Sequence, residues 1–424
     1  MKILIGTVNI ASVLGEMKDA FKKLGHHVTL MVNEEPGRLA ATIKYDIVSS
    51  DQVPKFFRKN LFEGTQSLVL KALRKPYSDL RKRLIARVNK KMLPQLIDEH
   101  DLFIFVWSSI LPNYSDLKAI KDAGKKIVFI FVGDDVRWYW AMKQEFEASG
   151  LIPINYGKSY NYGPIGLYRR LKRIRMAERY ADIIYSKREQ AQLQIRPFYH
   201  WIMFVKSDDY KSLNRNASKP LIIHAPTNPI TKGTSFVIAA VMELKKVGLE
   251  FDFKLIQQMP FAEAKKWIEK SDIAIDQLLI PGGGRFCTEC LATGSKVISY
   301  MNYDNYYQGF DAQKKENCPI IDADTDNIQQ VLKTTIEQYF ELKDKTNTAT
   351  MSSRVSEMTD IESQDTTIKI IEYVNNNLEV LDFCQNLIYR VNSNTQQYDF
   401  NPVFFKEAFI PEGCMAKKLY KWMN

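Results

Sequence analysis

The chain opens on an apolar run at 2–5. Met17, Ala20, Phe21 and Leu24 then recur at helical spacing, Gly25 supplies a stop, and a second apolar run follows at 27–32. Strand, helix and strand in that order predict a β-α-β unit and therefore a parallel sheet. Further strands are predicted at 102–107, 126–132 and 182–186. The run IVFIFV at 127–132 lacks polar alternation, as a strand covered on both faces requires. The pattern restarts at 221, with strands at 221–224, 251–255, 273–276 and 296–300 and helices at 235–246, 262–269 and 286–292.

The polar segment 206–220 between the two series reads as a linker. A length of 424 residues also exceeds what one hydrophobic core usually supports. The fold class expected is α/β, with two doubly wound Rossmann-like domains, 1–205 and 206–375, facing a cleft. Ligands of such sheets bind beyond the carboxyl ends of the strands. The remaining 376–424 is irregular and aromatic, and is expected to be a tail packing back on the first domain.

Charge changes this picture in one respect. The net charge is +10, and residues 1–200 carry 34 Lys+Arg against 20 Asp+Glu, whereas the rest carries 25 against 29. An anionic membrane, a phosphorylated acceptor or nucleic acid would each suit the basic half. Nucleic acid is disfavoured because no reader module accompanies the charge. Two helical stretches concentrate it. At 80–93 an apolar stripe of Leu80, Leu84, Ile85, Val88 and Met92 is accompanied by six cations. At 167–181 a stripe of Leu167, Leu171, Ile174 and Ala181 is surrounded by Arg169, Arg170, Lys172, Arg173, Arg175 and Arg179. Such helices either pack on a core with a solvated basic face or attach to an anionic membrane. No apolar run is long enough to span one. The start reads straight into a strand without signal-peptide form, so a cytoplasmic site is expected, peripheral to the membrane's inner face if the basic helices attach there. Cys287 and Cys290 have C-x-x-C spacing but lie in an apolar segment without a second pair, and read as buried small hydrophobes.

Two strand-loop-helix segments carry candidate chemistry. The first, LIIHAPTNPITKGT at 221–234, places Lys232 and Gly233 just ahead of a helix expected near Thr234. A lysine beside free helix N–H groups suits a diphosphate, and a plain β-α loop with a solvated lysine has the same spacing. The second, 275–300, runs strand, glycine loop, helix, strand. Gly282, Gly283 and Gly284 let an anion approach the backbone, Arg285 adds a donor, and Glu289 sits one turn into the helix where a carboxylate can accept ribose hydroxyls. The bland alternatives are a flexible loop and a solvated helix glutamate.

Together these segments resemble retaining glycosyltransferases of the group-1, family-4 type with the GT-B fold. The resemblance rests on HAPTNPITKGT at 224–234, IDQL at 275–278 and GGGRFCTECLATGSKVI at 282–298. In the last, Gly284, Glu289, Ala292, Gly294, Val297 and Ile298 match the family's G-x4-E-A-x-A-x-G-x-P-V-I pattern, with Cys290 and Lys296 departing from it. Looser matches are the segment 107–137, ending GDDVR, and RYADIIYSK at 179–187. The resemblance implies a nucleotide-sugar donor and a glycan or lipid-linked acceptor, in cell-surface polysaccharide synthesis, with retention of configuration. It implies that Lys232 holds the diphosphate, that Glu289 holds the ribose, and that the backbone of Gly283, Gly284 and Arg285 lines the phosphates together with Gly233. Asn228 falls near a phosphate-contacting arginine of the family. Pro281 stands where the family's E-x7-E motif has its first glutamate, so a nucleotide-sugar-binding protein without catalysis and an epimerase of the same architecture stay open.

The catalytic candidates are Lys232, Glu289 and Asp134. The acidic pair Asp134–Asp135 could be read as a metal site, but the neighbouring Arg137 favours a structural or acceptor-orienting role. No metal and no cofactor are called for. The loop 6–12 has no His, Asp or Glu to serve as a general base, and its Asn9 and Ser12 are assigned to phosphate or acceptor contact along with Arg137.

Overall fold

In the computed structural model, residues 1–343 are described except 11, 36–42, 59–67, 139–142, 144–146, 148–163, 188–189, 192, 195, 197, 201–208, 212–217 and 302–318. Beyond 343 the description covers Arg390–Val391 and Tyr398–Asp399, which pair antiparallel. Most of the expected linker and of the tail 376–424 lies outside the described residues.

The first sheet contains β1 (Lys2–Thr7), β2 (His27–Val32), β3 (Ile47–Val48), β4 (Leu102–Val106), β5 (Lys126–Ile130), β6 (Ile183–Ser186) and β7 (Tyr199–His200). Its order is β3-β2-β1-β4-β5-β6-β7 and every pairing is parallel. Side-chain alternation divides the core between the two faces. Phe103, Phe105, Phe129 and Phe131 point to one face with Leu167, Leu171 and Ile174 of the helix Pro164–Tyr180. Ile104, Val106, Val128 and Ile130 point to the other, with Val13, Leu14, Met17 and Phe21 of the helix Val13–Lys23.

The second sheet holds β8 (Leu221–His224), β9 (Asp252–Leu255), β10 (Ile273–Ile275), β11 (Lys296–Ser299) and β12 (Ile320–Asp322), in the order β12-β11-β10-β8-β9, again all parallel. Helices Thr234–Lys246 and Ile328–Lys343 cover one face, while Phe261–Ile268 and Arg285–Ala292 cover the other. Both sheets are therefore doubly wound. Strand order reverses between β1 and β4 in one and between β8 and β10 in the other. Met301, just beyond β11, is buried in the core of the first sheet and joins the two halves through apolar contact.

The strands expected from apolar runs are present with ends shifted by up to two residues. β3, β7 and β12 were not anticipated, because two or three residues carry no readable period. The basic stretch at 80–93 is part of a much longer helix, Leu68–Glu99, which continues through Pro76 and Pro94. Its buried stripe also differs from the expectation. Tyr77, Arg81, Ile85, Asn89, Leu93 and Leu96 face inward, and Leu80 is 45% exposed. Arg81 is accommodated because Nε donates to the Phe57 carbonyl at 2.7 Å, Nη2 donates to the Arg58 carbonyl at 2.9 Å, and Glu34 pairs with the guanidinium.

The helix Pro164–Tyr180 departs further from a membrane-facing reading. Arg173 donates to the Asp135 carbonyl at 2.8 Å and to the Tyr114 hydroxyl at 3.1 Å, and Arg170 donates to the Asp134 carbonyl at 3.2 Å. Arg175 forms a fully buried ion pair with Glu178 at 2.6 Å. Half of the expected basic face thus holds the protein's own loops. Among the described residues no helix is long and apolar enough to cross a membrane.

The aromatic file is the part of the core where truncation is expected to cost most. Phe129 is fully buried, with ring centroids 6.2 Å from Phe105 and 5.0 Å from Phe131. Phe129→Ala should lower stability by about 3–5 kcal/mol in urea unfolding, through lost transfer energy and a residual cavity. Leu24→Ala, at a position 44% exposed, should change it by less than about 0.5 kcal/mol.

Candidate functional site

The parallel order brings the ends of β8 and β10 together at the switch point of the second sheet, where ligands of open α/β sheets bind. After β8 the chain makes one helical turn, Pro229–Lys232. Asn228 caps that turn, its Oδ1 accepting from Ile230 N at 3.1 Å and Thr231 N at 3.4 Å. Gly233 follows in the left-handed region, φ 73°, where a side chain would be strained. The Lys232 carbonyl accepts from Leu278 N at 3.2 Å, which ties this turn to the segment leaving β10.

Lys232 Nζ donates to Asp276 Oδ1 at 2.5 Å. The other oxygen of Asp276 accepts from Gly284 N at 2.7 Å. Gly284 is the N-cap of the helix Arg285–Ala292, and a Cβ on it would lie 3.1 Å from Asp276 Oδ2 and 3.2 Å from Lys232 Nζ. Gly283 must also lack a side chain, since a Cβ there would sit 2.8 Å from Cys287 Sγ. An ammonium, a helix N-terminus and a bare glycine backbone therefore converge. The buried carboxylate of Asp276 between them carried no role in the sequence reading.

The helix after Gly233 begins at Thr234, as expected. Lys232 was placed ahead of the helix starting at Thr234. That helix start is enclosed, since a Cβ on Gly233 would meet Leu278 and Leu279, and Thr234 is buried with its hydroxyl on His224. Lys232 faces the N-terminus of Arg285–Ala292. The Asn228 side-chain oxygen serves the cap of the preceding turn.

Glu289 lies one turn into that helix but is not a solvated carboxylate. Its Oε1 accepts from Arg285 Nε at 2.6 Å and from the Tyr210 hydroxyl at 2.8 Å, and the residue is 5% exposed. Arg285 turns the remainder of its guanidinium across the cleft. Nη1 donates to Glu16 Oε2 at 2.9 Å and Nη2 donates to Glu16 Oε1 at 2.5 Å. Glu16 belongs to the helix after β1. A second bridge lands beside it, Lys187 Nζ donating to the Gly283 carbonyl at 2.8 Å. Burial pushes Glu16 up to about 7 against the opposing pull of Arg285. Burial pulls Arg285 down, but its hydrogen bond to Glu16 and the fields of Glu16 and Glu289 outweigh this and raise it.

Three groups at this junction were missed from sequence. Glu16 lies four residues beyond the loop 6–12, on the helix that follows it. Lys187 lies at the end of RYADIIYSK, and Tyr210 lies in the expected linker. Elsewhere, Asn9 donates to the Tyr45 hydroxyl at 2.8 Å and accepts from Leu14 N at 3.3 Å, so it shapes the start of the helix Val13–Lys23, for which Ser12 is the N-cap at φ 63°. Asp134 pairs with Arg137 at 2.8 Å. Asp135 is buried, accepting from Gly133 N at 2.6 Å and from Val132 N, and burial pushes it up to about 6. The pair therefore organises the turn after β5, and no cluster of metal-ligating side chains exists among the described residues. Cys287 and Cys290 are buried, as expected.

No family model matches the chain, and no curated protein matches it in sequence. Solved structures do match in shape. The catalytic domain of starch synthase IV from Arabidopsis thaliana, solved with ADP and acarbose, superposes with a TM-score of 0.55 at 13% identity, over 88% of this chain and 98% of that one. Sucrose-phosphate synthase from Thermosynechococcus elongatus superposes with a TM-score of 0.53 at 10% identity, over 89% and 99%. Two doubly wound parallel sheets facing a cleft, shared over nearly the whole of these proteins, decide the architecture. The chain has the GT-B fold. In that GT-B frame the Lys232–Asp276–Gly284 cluster lies at the carboxyl edge of the second sheet, and Glu16 and Lys187 reach it from the first.

His224, at the end of β8, underpins this edge. Its Nδ1 lies 2.7 Å from the Ile275 carbonyl, which can only accept, so the ring carries its proton there and Nε2 accepts from the Thr234 hydroxyl at 2.9 Å. Burial holds it down at about 4. Between pH values of about 6.5 and about 4 the unfolded chain binds a proton that the folded one refuses. Stability from the neutral ring is thus complete above that window and is lost as pH falls through it. Glu16, Asp116 and Asp135, all raised by burial, act with the opposite sign but are common to wild type and variant. The stability difference between wild type and His224→Asn should therefore shrink by about 2 kcal/mol from about pH 7.5 to about pH 5. A pH-independent difference in urea titrations would contradict the assignment.

Proposed function

We propose that the chain is a glycosyltransferase that moves a sugar from a nucleotide-diphosphate donor to a glycan or lipid-linked acceptor. The observation that carries this reading is the convergence of Lys232 Nζ and the Gly284 amide at a helix N-terminus, with Glu289 one turn beyond, at the switch point of a GT-B second sheet. Starch synthase IV, similar in fold, was solved with ADP and acarbose, a nucleoside diphosphate and an oligosaccharide analogue. On this reading Lys232, the helix N-terminus that Gly284 caps and the N–H groups of Gly283 and Arg285 take up charge as the diphosphate leaves. Glu289 accepts from the ribose. The bond from the anomeric carbon to the diphosphate oxygen breaks, the acceptor oxygen bonds to that carbon, and the acceptor proton passes to the departing diphosphate. Retention of configuration follows the family resemblance and the lack of a titratable side chain in the loop 6–12.

The domain division at 205/206 belongs to the same proposal, with the donor on the second domain and the acceptor at the turn containing Asp134 and Arg137. The exposed cations of Leu68–Glu99, Lys82, Arg83, Arg87, Lys90 and Lys91, suit a lipid-linked acceptor at an anionic inner membrane face in cell-surface polysaccharide synthesis. One observation favours a second reading. Pro281 stands eight positions before Glu289, where the family has a sugar-contacting glutamate, so a nucleotide-sugar-binding protein without turnover would look the same in these loops.

Calorimetric titration with ADP and UDP tests the site. Lys232→Ala and Glu289→Gln should each weaken binding about tenfold or more, about 1.4 kcal/mol per decade. Affinities equal to wild type in both variants would sink the assignment, and hydrolysis or transfer from any donor sugar would remove the binding-only reading.

A further inference from the structure

Both cations at the donor edge already hold an anion supplied by the protein. Asp276 takes Lys232 and the Gly284 amide, and Glu16 takes the two Nη donors of Arg285. The two carboxylates are not equivalent. Asp276 has a side chain with no exposure, its backbone N–H donates to the Ile298 carbonyl at 2.9 Å, and it stands at the end of β10 in the same half as Lys232. It moves with the site. Glu16 stands on the helix Val13–Lys23, packed against the first sheet, 269 positions from its partner, and it must leave when the halves separate. The neighbouring Lys187–Gly283 bond crosses the same gap and would part with it.

We propose that Glu16–Arg285 is a latch across the cleft, in which the Glu16 carboxylate occupies the guanidinium fork that the donor's diphosphate takes over on binding. Arginine grips carboxylate and phosphate oxygens with the same planar pair of N–H donors. Opening the cleft without a ligand costs both Nη donors their charge-assisted bonds to the Glu16 carboxylate. Arrival of a diphosphate replaces one anion with another and removes that penalty. Glu289 stays on Nε throughout, so the same arginine links the ribose carboxylate to the phosphate end. The latch lowers the fraction of protein ready to bind and therefore the apparent affinity. The nature of the displacing anion rests on the donor reading above; the latch itself rests on the contacts between the halves.

Glu16→Gln keeps the side chain's shape and removes its charge. Arg285→Lys keeps both charges and removes the fork, and guards against a folding defect peculiar to one variant. Small-angle scattering of the full chain without ligand should show a larger radius of gyration for both variants than for wild type. Titration with UDP and ADP should give about fivefold tighter binding to Glu16→Gln. Scattering that superposes for wild type and both variants overturns the proposal, and so does weaker or unchanged nucleotide binding by Glu16→Gln. If scattering separates the proteins while neither UDP nor ADP binds any of them, the latch stands and the donor reading fails.

Discussion

The carboxylate of Asp276 joins three parts of the chain that the fold brings together: the strand end it belongs to, the turn after β8 through Lys232, and the glycine loop through the Gly284 amide. Parallel pairing of β8 with β10 is the cause, since it puts both strand ends on one edge with adjacent loops. A lysine and a helix N-terminus brought this close repel one another, and an anion between them must offset that. Desolvation of the carboxylate is tolerable because both its oxygens are bonded. Neither Lys232 nor the glycines would hold their places through local propensity alone.

How much of this could be read beforehand depended on range. Apolar runs such as 127–132 identify a doubly covered strand because every position is constrained by burial, and the period is visible within six residues. The glycine run and the lysine ahead of Gly233 are visible because local backbone geometry demands them. Asp276 stood in plain view in IDQL, but its partners are 44 positions back and eight forward, and no spacing rule joins them. Glu16 and Arg285 are separated by most of the described chain. Charged residues on a helix normally read as a solvated face, and only the packing of one half against the other reveals these as desolvated.

The same reasoning applies to the basic first half. Composition counts charges without their direction. Along Pro164–Tyr180, Arg170, Arg173 and Arg175 point inward to carbonyls and to Glu178, and in Leu68–Glu99 the inward stripe includes Arg81 and Asn89. An arginine can sit on an apolar stripe when loop carbonyls meet its fork, because its donors are then satisfied while its methylenes pack. A stripe drawn from apolar residues alone is therefore rotated from the true one, here by about one residue from Leu80 to Arg81. The helix also runs through two prolines, since its length is set by the packed stripe more than by propensity.

Charge compensation within the cleft has a consequence for ligand choice. Lys232 and Asp276 cancel, and Arg285 is faced by Glu16 and Glu289, so this junction does not offer a large positive potential to any passing anion. On the donor reading proposed above, discrimination comes from exchange: the ligand brings an anion that fits the arginine fork and hydroxyls that satisfy Glu289. A lone phosphate could meet only the first condition and a neutral sugar only the second. On the donor reading proposed above, a nucleoside diphosphate brings both in one molecule, and a site whose cations are already paired holds the more abundant simple anions poorly.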